Sequence, residues 1–228
     1  MKIHIITKDQ LNENNEYIGS VDLSDFDGAI ESVEGLGNVK FNSLGSRLYI
    51  KFRVGSGIES NWEIRARLGI DSGFGIKARH RIIAGDDIYA VDGIEARDSI
   101  EATGRIIAER GIKAGSEITV GRDIHARLGI RAGNGIKVGG KIYTGRSIKA
   151  GNSIAAGTTI YAESGIEAGS GIIAGLSIKS KFISCNTRIF AGTCSWKIPE
   201  EHEMQISGEI RKGVVAYGIH VKEEKNNE

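Results

Sequence analysis

Few residues of this chain stand at spacings that chemistry requires. Gly135-Ile136-Lys137-Val138-Gly139-Gly140-Lys141 has the Gly-x4-Gly-Lys spacing of a phosphate-cradling loop. Ile142 stands where that loop needs Ser or Thr, and the segment lies inside a repeat with no helix to supply the phosphate site. The nucleotide reading is set aside. The five histidines, His4, His80, His125, His202 and His220, are scattered, and no two have the spacing of metal ligands. His202 sits in Glu200-Glu201-His202-Glu203, which reads as a polar turn. Cys185 and Cys194 form no CxxC pair, and Cys194 has no base beside it to activate the thiol. Both read as free thiols in a reducing cytosol. The expectation is a non-enzyme with no catalytic residue, no metal and no cofactor.

The elements that would position any site come from a repeat. Isoleucine recurs every sixth residue from Ile58 to Ile178, 21 units without an insertion. Two positions after each stands a small residue: alanine in 15 units, and Ser60, Ser72, Val120, Val138, Thr144 and Ser180 in the others. Residues i and i+2 of a strand share a face, so isoleucine and the small residue point into one core. The glycine that often follows suits a tight bend, where positive φ costs it little. A helix would need a 3.6-residue period and would tolerate this much glycine badly. A fixed short period is the mark of a stacked repeat.

The residue before each isoleucine sets the number of units per coil. Every third unit carries Gly57, Gly75, Gly93, Gly111, Gly129, Ser147 and Gly165, while the other two phases are mixed. The period is therefore about 18 residues, three short strands to a triangular coil. The expected fold is all-β: a parallel β-helix of seven regular coils over residues 58–180, roughly 34 Å long at the usual strand spacing. Residues 1–57 read as a β cap or irregular coils, with Leu48, Ile50, Phe52 and Val54 on one face. Residues 181–222 read as a β cap built on two strand-like runs, Arg188 to Trp196 and Met204 to Val221. The charged residues 223–228 read as a disordered tail.

Sorting the outward residues by phase gives three walls. The first carries Glu59, Lys77, Glu95, Lys113, Arg131, Lys149 and Glu167, charges that mostly alternate and attract along the stack. The second, Arg65, Ile83, Glu101, Thr119, Lys137, Ala155 and Ile173, has no theme. The third reads Asp71, Tyr89, Ile107, His125, Tyr143, Tyr161 and Lys179. Large, mostly aromatic side chains there have Arg110, Arg127 and Arg146 among their charged flanks, a composition suited to a protein partner. The other reading is a ladder of aromatics that merely stack well on a flat sheet.

The balance of 30 basic against 29 acidic residues argues against generic nucleic-acid affinity. Met1 to Thr7 has no cleavable leader pattern, and no apolar run is long enough for a bilayer, so a cytoplasmic protein with no membrane partner is expected. A homo-oligomer is left open.

The unit Ile-x-Ala-Gly-x-Gly resembles those of hexapeptide β-helix proteins. Left-handed acyltransferases of that kind place the small residue two positions before the aliphatic one and interrupt the coil with a loop. Here the small residue comes two after, and nothing interrupts the array. The triangular plan is similar to that of bactofilins, the polymer-forming bacterial scaffolds, whose coils are right-handed, and that hand is favoured here. Across residues 58–199 the chain most resembles uncharacterised glycine-rich GI-x-AG repeat proteins of bacteria and phages, including the ending Arg188-Ile-Phe-Ala-Gly-Thr-Cys-Ser-Trp-Lys-Ile-Pro199. Those proteins have no settled activity; the aromatic wall, the lack of a catalytic constellation and this kinship together suggest a binding protein, in its narrowest form a phage or mobile-element inhibitor of a host nuclease or defence effector complex (anti-CRISPR-like). A self-assembling scaffold of the bactofilin kind is the alternative, and a carbohydrate-active β-helix a remote one.

Overall fold

Most repeat units fold as a three-residue strand whose outer two side chains point inward and whose middle one points out. Ile94–Ala96 shows the pattern: Ile94 and Ala96 are buried and Glu95 lies between them on the surface. All 21 repeat isoleucines are at most 1% exposed. Their register is that of a solenoid, with Ile94 beside Ile76 below and Ile112 above, in parallel strands 18 residues apart. The amide of Ile94 donates to the carbonyl of Gly111 one coil on, at 3.0 Å, and this bond recurs at every wall. Backbone polarity is thus satisfied between coils, while β-branched isoleucine packs against its own kind along each column.

The computed structural model describes residues 2–221 as a parallel β-solenoid of about eleven turns. That exceeds the seven coils counted from the strict repeat, because both flanks continue the winding. On the amino-terminal side, Gly37–Phe41, Leu44–Ser46 and Ile50–Phe52 stack in parallel on Ser56–Ser60, Ile64–Ala66 and Ile70–Ser72. Ala29–Ser32 and Ile3–Ile6 extend one wall by two further strands. The excursion between Ile6 and Ala29 packs Leu11, Tyr17, Leu23 and Phe26 against the first core residues. Residues 2–57 therefore form wider, irregular coils. Val54 departs from its expected face: the strand stops at Phe52 and the chain turns through Gly55, leaving Val54 73% exposed.

On the carboxy-terminal side the described residues continue the winding. The strand Ile178–Phe190 runs along all three walls, pairing in parallel with Ile160–Ala168 and Ile172–Ala174. Gln205–Tyr217 repeats that course one coil further, and Ile219–Val221 begins another. Of the expected run 188–196, only Arg188, Ile189 and Phe190 are strand. The chain then leaves the wall and returns through the short turn Glu201–Glu203. The expected tail, 223–228, lies outside the described residues.

The corner glycines act by proximity, which corrects the expectation of positive φ. The positive-φ glycines are Gly35, Gly37, Gly55, Gly192, Gly208, Gly213 and Gly218, none of them in the uninterrupted array. At Gly133 and Gly151 a Cβ would instead stand well inside contact distance of the previous coil's Gly115 and Gly133 carbonyls. Serine in the small inward position uses the same corner. Ser60 and Ser72 donate to the carbonyls three residues on, those of Glu63 and Gly75, each at 3.1 Å. At Ser180 the strand runs on without a corner, and its buried Oγ has no hydrogen-bond partner among the described residues.

Candidate protein-binding face

The third wall brings Tyr89, Ile107, His125, Tyr143 and Tyr161 into one file, each beside the next in register. The stacking distance is the coil repeat itself. His125 and Tyr143 have ring centroids 4.8 Å apart at an interplanar angle of 17°, and Tyr143 and Tyr161 are 4.8 Å apart at 10°. Such near-parallel stacking is favourable at this distance. It also closes the ring faces against one another, so the file offers a partner mainly ring edges and hydroxyls. Tyr89 and His125 are exposed, while Ile107, Tyr143 and Tyr161 are half-buried.

Charged residues border the file and are held by one another. Arg105 reaches Asp87 at 3.0 Å, and the same carboxylate accepts the Arg105 backbone amide at 2.6 Å. Burial opposes ionisation of Asp87, but the Arg105 contacts outweigh it and hold the carboxyl below its ordinary value. Asp123 accepts the Lys141 amide at 2.8 Å, so an amide of the discarded phosphate-loop match is already taken by a carboxylate. Arg127 lies 3.8 Å from Glu109.

Two hollows flank His125. One, of about 470 Å³, is lined by Glu109, His125, Arg127, Tyr143, Gly145 and Glu163. The other, of about 350 Å³, is lined by Arg105, Ile107, Glu109, Asp123, His125 and Lys141. At the amino-terminal end of the wall a larger hollow of about 540 Å³ has Tyr89, Tyr49 and Asp71 among its lining residues. Burial pushes the Asp71 carboxyl above its ordinary value, with Lys51 acting the other way.

Of the three arginines expected beside the aromatics, Arg127 alone lines a hollow with them. Arg110 and Arg146 lie in a corner column with Phe74, Asp92 and Leu128, linked by backbone bonds between coils. Arg110 is paired there with Asp92 at 2.9 Å. This column borders a groove that faces the first wall.

Sequence reasoning missed an apolar strip on the second wall. Ala155, Ile173, Phe190 and Tyr217 stand in one register, and Ile173 and Tyr217 are exposed. The signal lay outside the hexad: Phe190 follows Ile173 by 17 residues, and Tyr217 follows Phe190 by 27.

Among the described residues no group of three His, Cys, Asp or Glu side chains is placed to hold a metal ion. Cys185 is buried in the core and its thiol is pushed up by burial, whereas Cys194 is half-exposed. No helix among the described residues is long and apolar enough to cross a membrane. Comparison of the chain with protein-family models, curated proteins and solved structures finds no match.

Proposed function

We propose that this chain is a non-catalytic binding protein that presents its third wall to a protein partner. The observation that carries the reading is the unbroken file from Tyr89 to Tyr161, part-exposed along five coils and bordered by charges already fixed by their neighbours. Rigid aromatic edges with a polar rim lose little conformational freedom on association, which suits them to anchor an interface. The test compares capture of partner proteins by immobilised wild-type chain and by a Tyr143→Ala/Tyr161→Ala double variant. The double variant is expected to lose the captured species while keeping its β-sheet circular dichroism. Unchanged capture by a folded double variant sinks the reading.

The narrower task, inhibition of a host defence complex, rests on the resemblance to phage-borne repeat proteins. It predicts that wild-type chain, but not the double variant, raises phage plating on a host carrying the targeted complex. A second reading, self-assembly, is favoured by the apolar side chains that the last long strand, Gln205–Tyr217, turns outward, Val214 at 66% and Tyr217 at 49% exposed. Light scattering separates the two, since self-assembly gives a mass that grows with concentration.

A further inference from the structure

On the first wall, Lys40, Glu59, Lys77, Glu95 and Lys113 alternate in sign from coil to coil. The alternation then fails: Lys113, Arg131 and Lys149 stand directly beside one another before Glu167 restores it. Lys113 is neutralised by Glu95 at 2.7 Å and Lys149 by Glu167 at 2.8 Å. Arg131, between them, has cations as both register neighbours and is in no ion pair among the described residues. Like charges placed opposite in a sheet are unfavourable, and glutamate at this position would continue the pattern. The wall thus holds an uncompensated guanidinium at one height.

Space for a ligand lies beside it. A hollow of about 460 Å³ between the first and second walls is lined by Arg131, Lys149 and Lys212, with Ser184 and Asn186 as polar neighbours and Glu167 as its carboxylate. Lys212 is likewise in no ion pair among the described residues. Arg131 and Lys149 also line the groove on the wall's other side, so both cations are reachable from two directions. We propose that this cluster is a docking site for a short acidic segment of a partner protein, one of whose carboxylates is gripped by Arg131.

The choice of carboxylate follows from the wall itself. Its cations already pair with carboxylates at one-coil spacing, and a guanidinium fork donates two parallel hydrogen bonds to a carboxylate. Glu95 and Glu167 bracket the cluster four coil steps apart, roughly 19 Å at the usual strand spacing. A nucleic-acid strand tracking the wall beyond that length would meet those acids, whereas a short acidic peptide fits between them. The site lies on a different wall from the aromatic file and does not depend on it.

The test titrates a fluorescein-labelled tetra-glutamate peptide against wild-type chain and against Arg131→Glu, with an oligothymidylate of equal charge in parallel. Saturable peptide binding by wild type is expected, at least tenfold weaker in Arg131→Glu and unchanged in Tyr143→Ala/Tyr161→Ala. The melting temperature of Arg131→Glu is expected to rise by about 2 °C, because the substitution completes the alternation. Arg131→Gln, which removes the charge without adding another, should fall between the two in affinity. Absence of saturable binding by wild type, equal binding by Arg131→Gln, or tighter binding of the oligothymidylate overturns the proposal.

Discussion

At the residue scale, two glycines two positions apart, Gly133 and Gly135, differ in what their backbone meets. A Cβ at Gly133 would collide with the backbone carbonyl of Gly115, which the coil stack holds in place, while a Cβ at Gly135 would find the Ser153 carbonyl at an ordinary 3.6 Å. Gly133→Ala should therefore lower stability by about 1–3 kcal/mol, as an overpacked site does. Gly135→Ala should be neutral or stabilising by up to about 1 kcal/mol, through the unfolded chain. Urea midpoints of the two variants check both. Ser180→Ala removes a buried hydroxyl without a partner among the described residues and should stabilise by about 1 kcal/mol. Asp71 gives a pH signature. Its carboxyl is raised by burial, so this group favours the fold while protonated and disfavours it once ionised. Its contribution to stability falls as pH rises from the ordinary carboxylate range through the raised value. Asp71→Asn should thus be more stable than wild type at pH 7, with the gap closing below pH 4. The glycine periodicity was plain in the sequence, but its cause was not. Proximity to the neighbouring coil's carbonyl is a three-dimensional relation between residues 18 apart, and a local turn rule cannot express it.

At the element scale, the walls follow from one residue per strand. The outward middle residues of the strict array fall into the three files read from the 18-residue phase, because no insertion shifts the register between Ile58 and Ile178. The aromatic file is legible for that reason, and so is the break at Arg131. The apolar strip ending in Phe190 and Tyr217 is not, since the coil length changes there and phase can no longer be counted. Arg110 and Arg146 are near the aromatics in sequence, but a triangular coil turns its corner just before them. The ladder also makes an ordering prediction. Tyr143 stacks on two rings and Tyr161 on one, each such contact being worth about 0.5–1.5 kcal/mol. Thermal melts should find Tyr143→Ala less stable than Tyr161→Ala. Equal losses would mean that the stacking contributes nothing and that the file's aromatic character serves something else.

At the scale of the whole molecule, the solenoid is a one-dimensional stack in which each coil rests on its neighbours, so a unit can be removed without altering the plan. Deleting residues 112–129 takes out one coil and keeps every wall in phase. That variant should fold, show the same β-sheet spectrum, and keep Tyr143 beside Tyr161. Deleting only 112–117 still places isoleucine at every core position, because all three columns are isoleucine. It rotates every later residue by one wall, however, and carries His125, Tyr143 and Tyr161 away from the file begun by Tyr89 and Ile107. The first deletion takes out His125 and Arg127 with their coil but leaves Tyr89, Ile107, Tyr143 and Tyr161 in one file, so it should weaken partner capture without abolishing it, whereas the second should lose it. The most direct measurement places a photo-crosslinking residue at position 143 of the third wall and, separately, at Thr119 of the second, in cells that contain the partner. A discrete adduct from position 143, absent from position 119 and lost on adding Tyr161→Ala, is the predicted result. Equal adducts from both walls, or an adduct indifferent to Tyr161, would contradict the assignment of binding to the aromatic face.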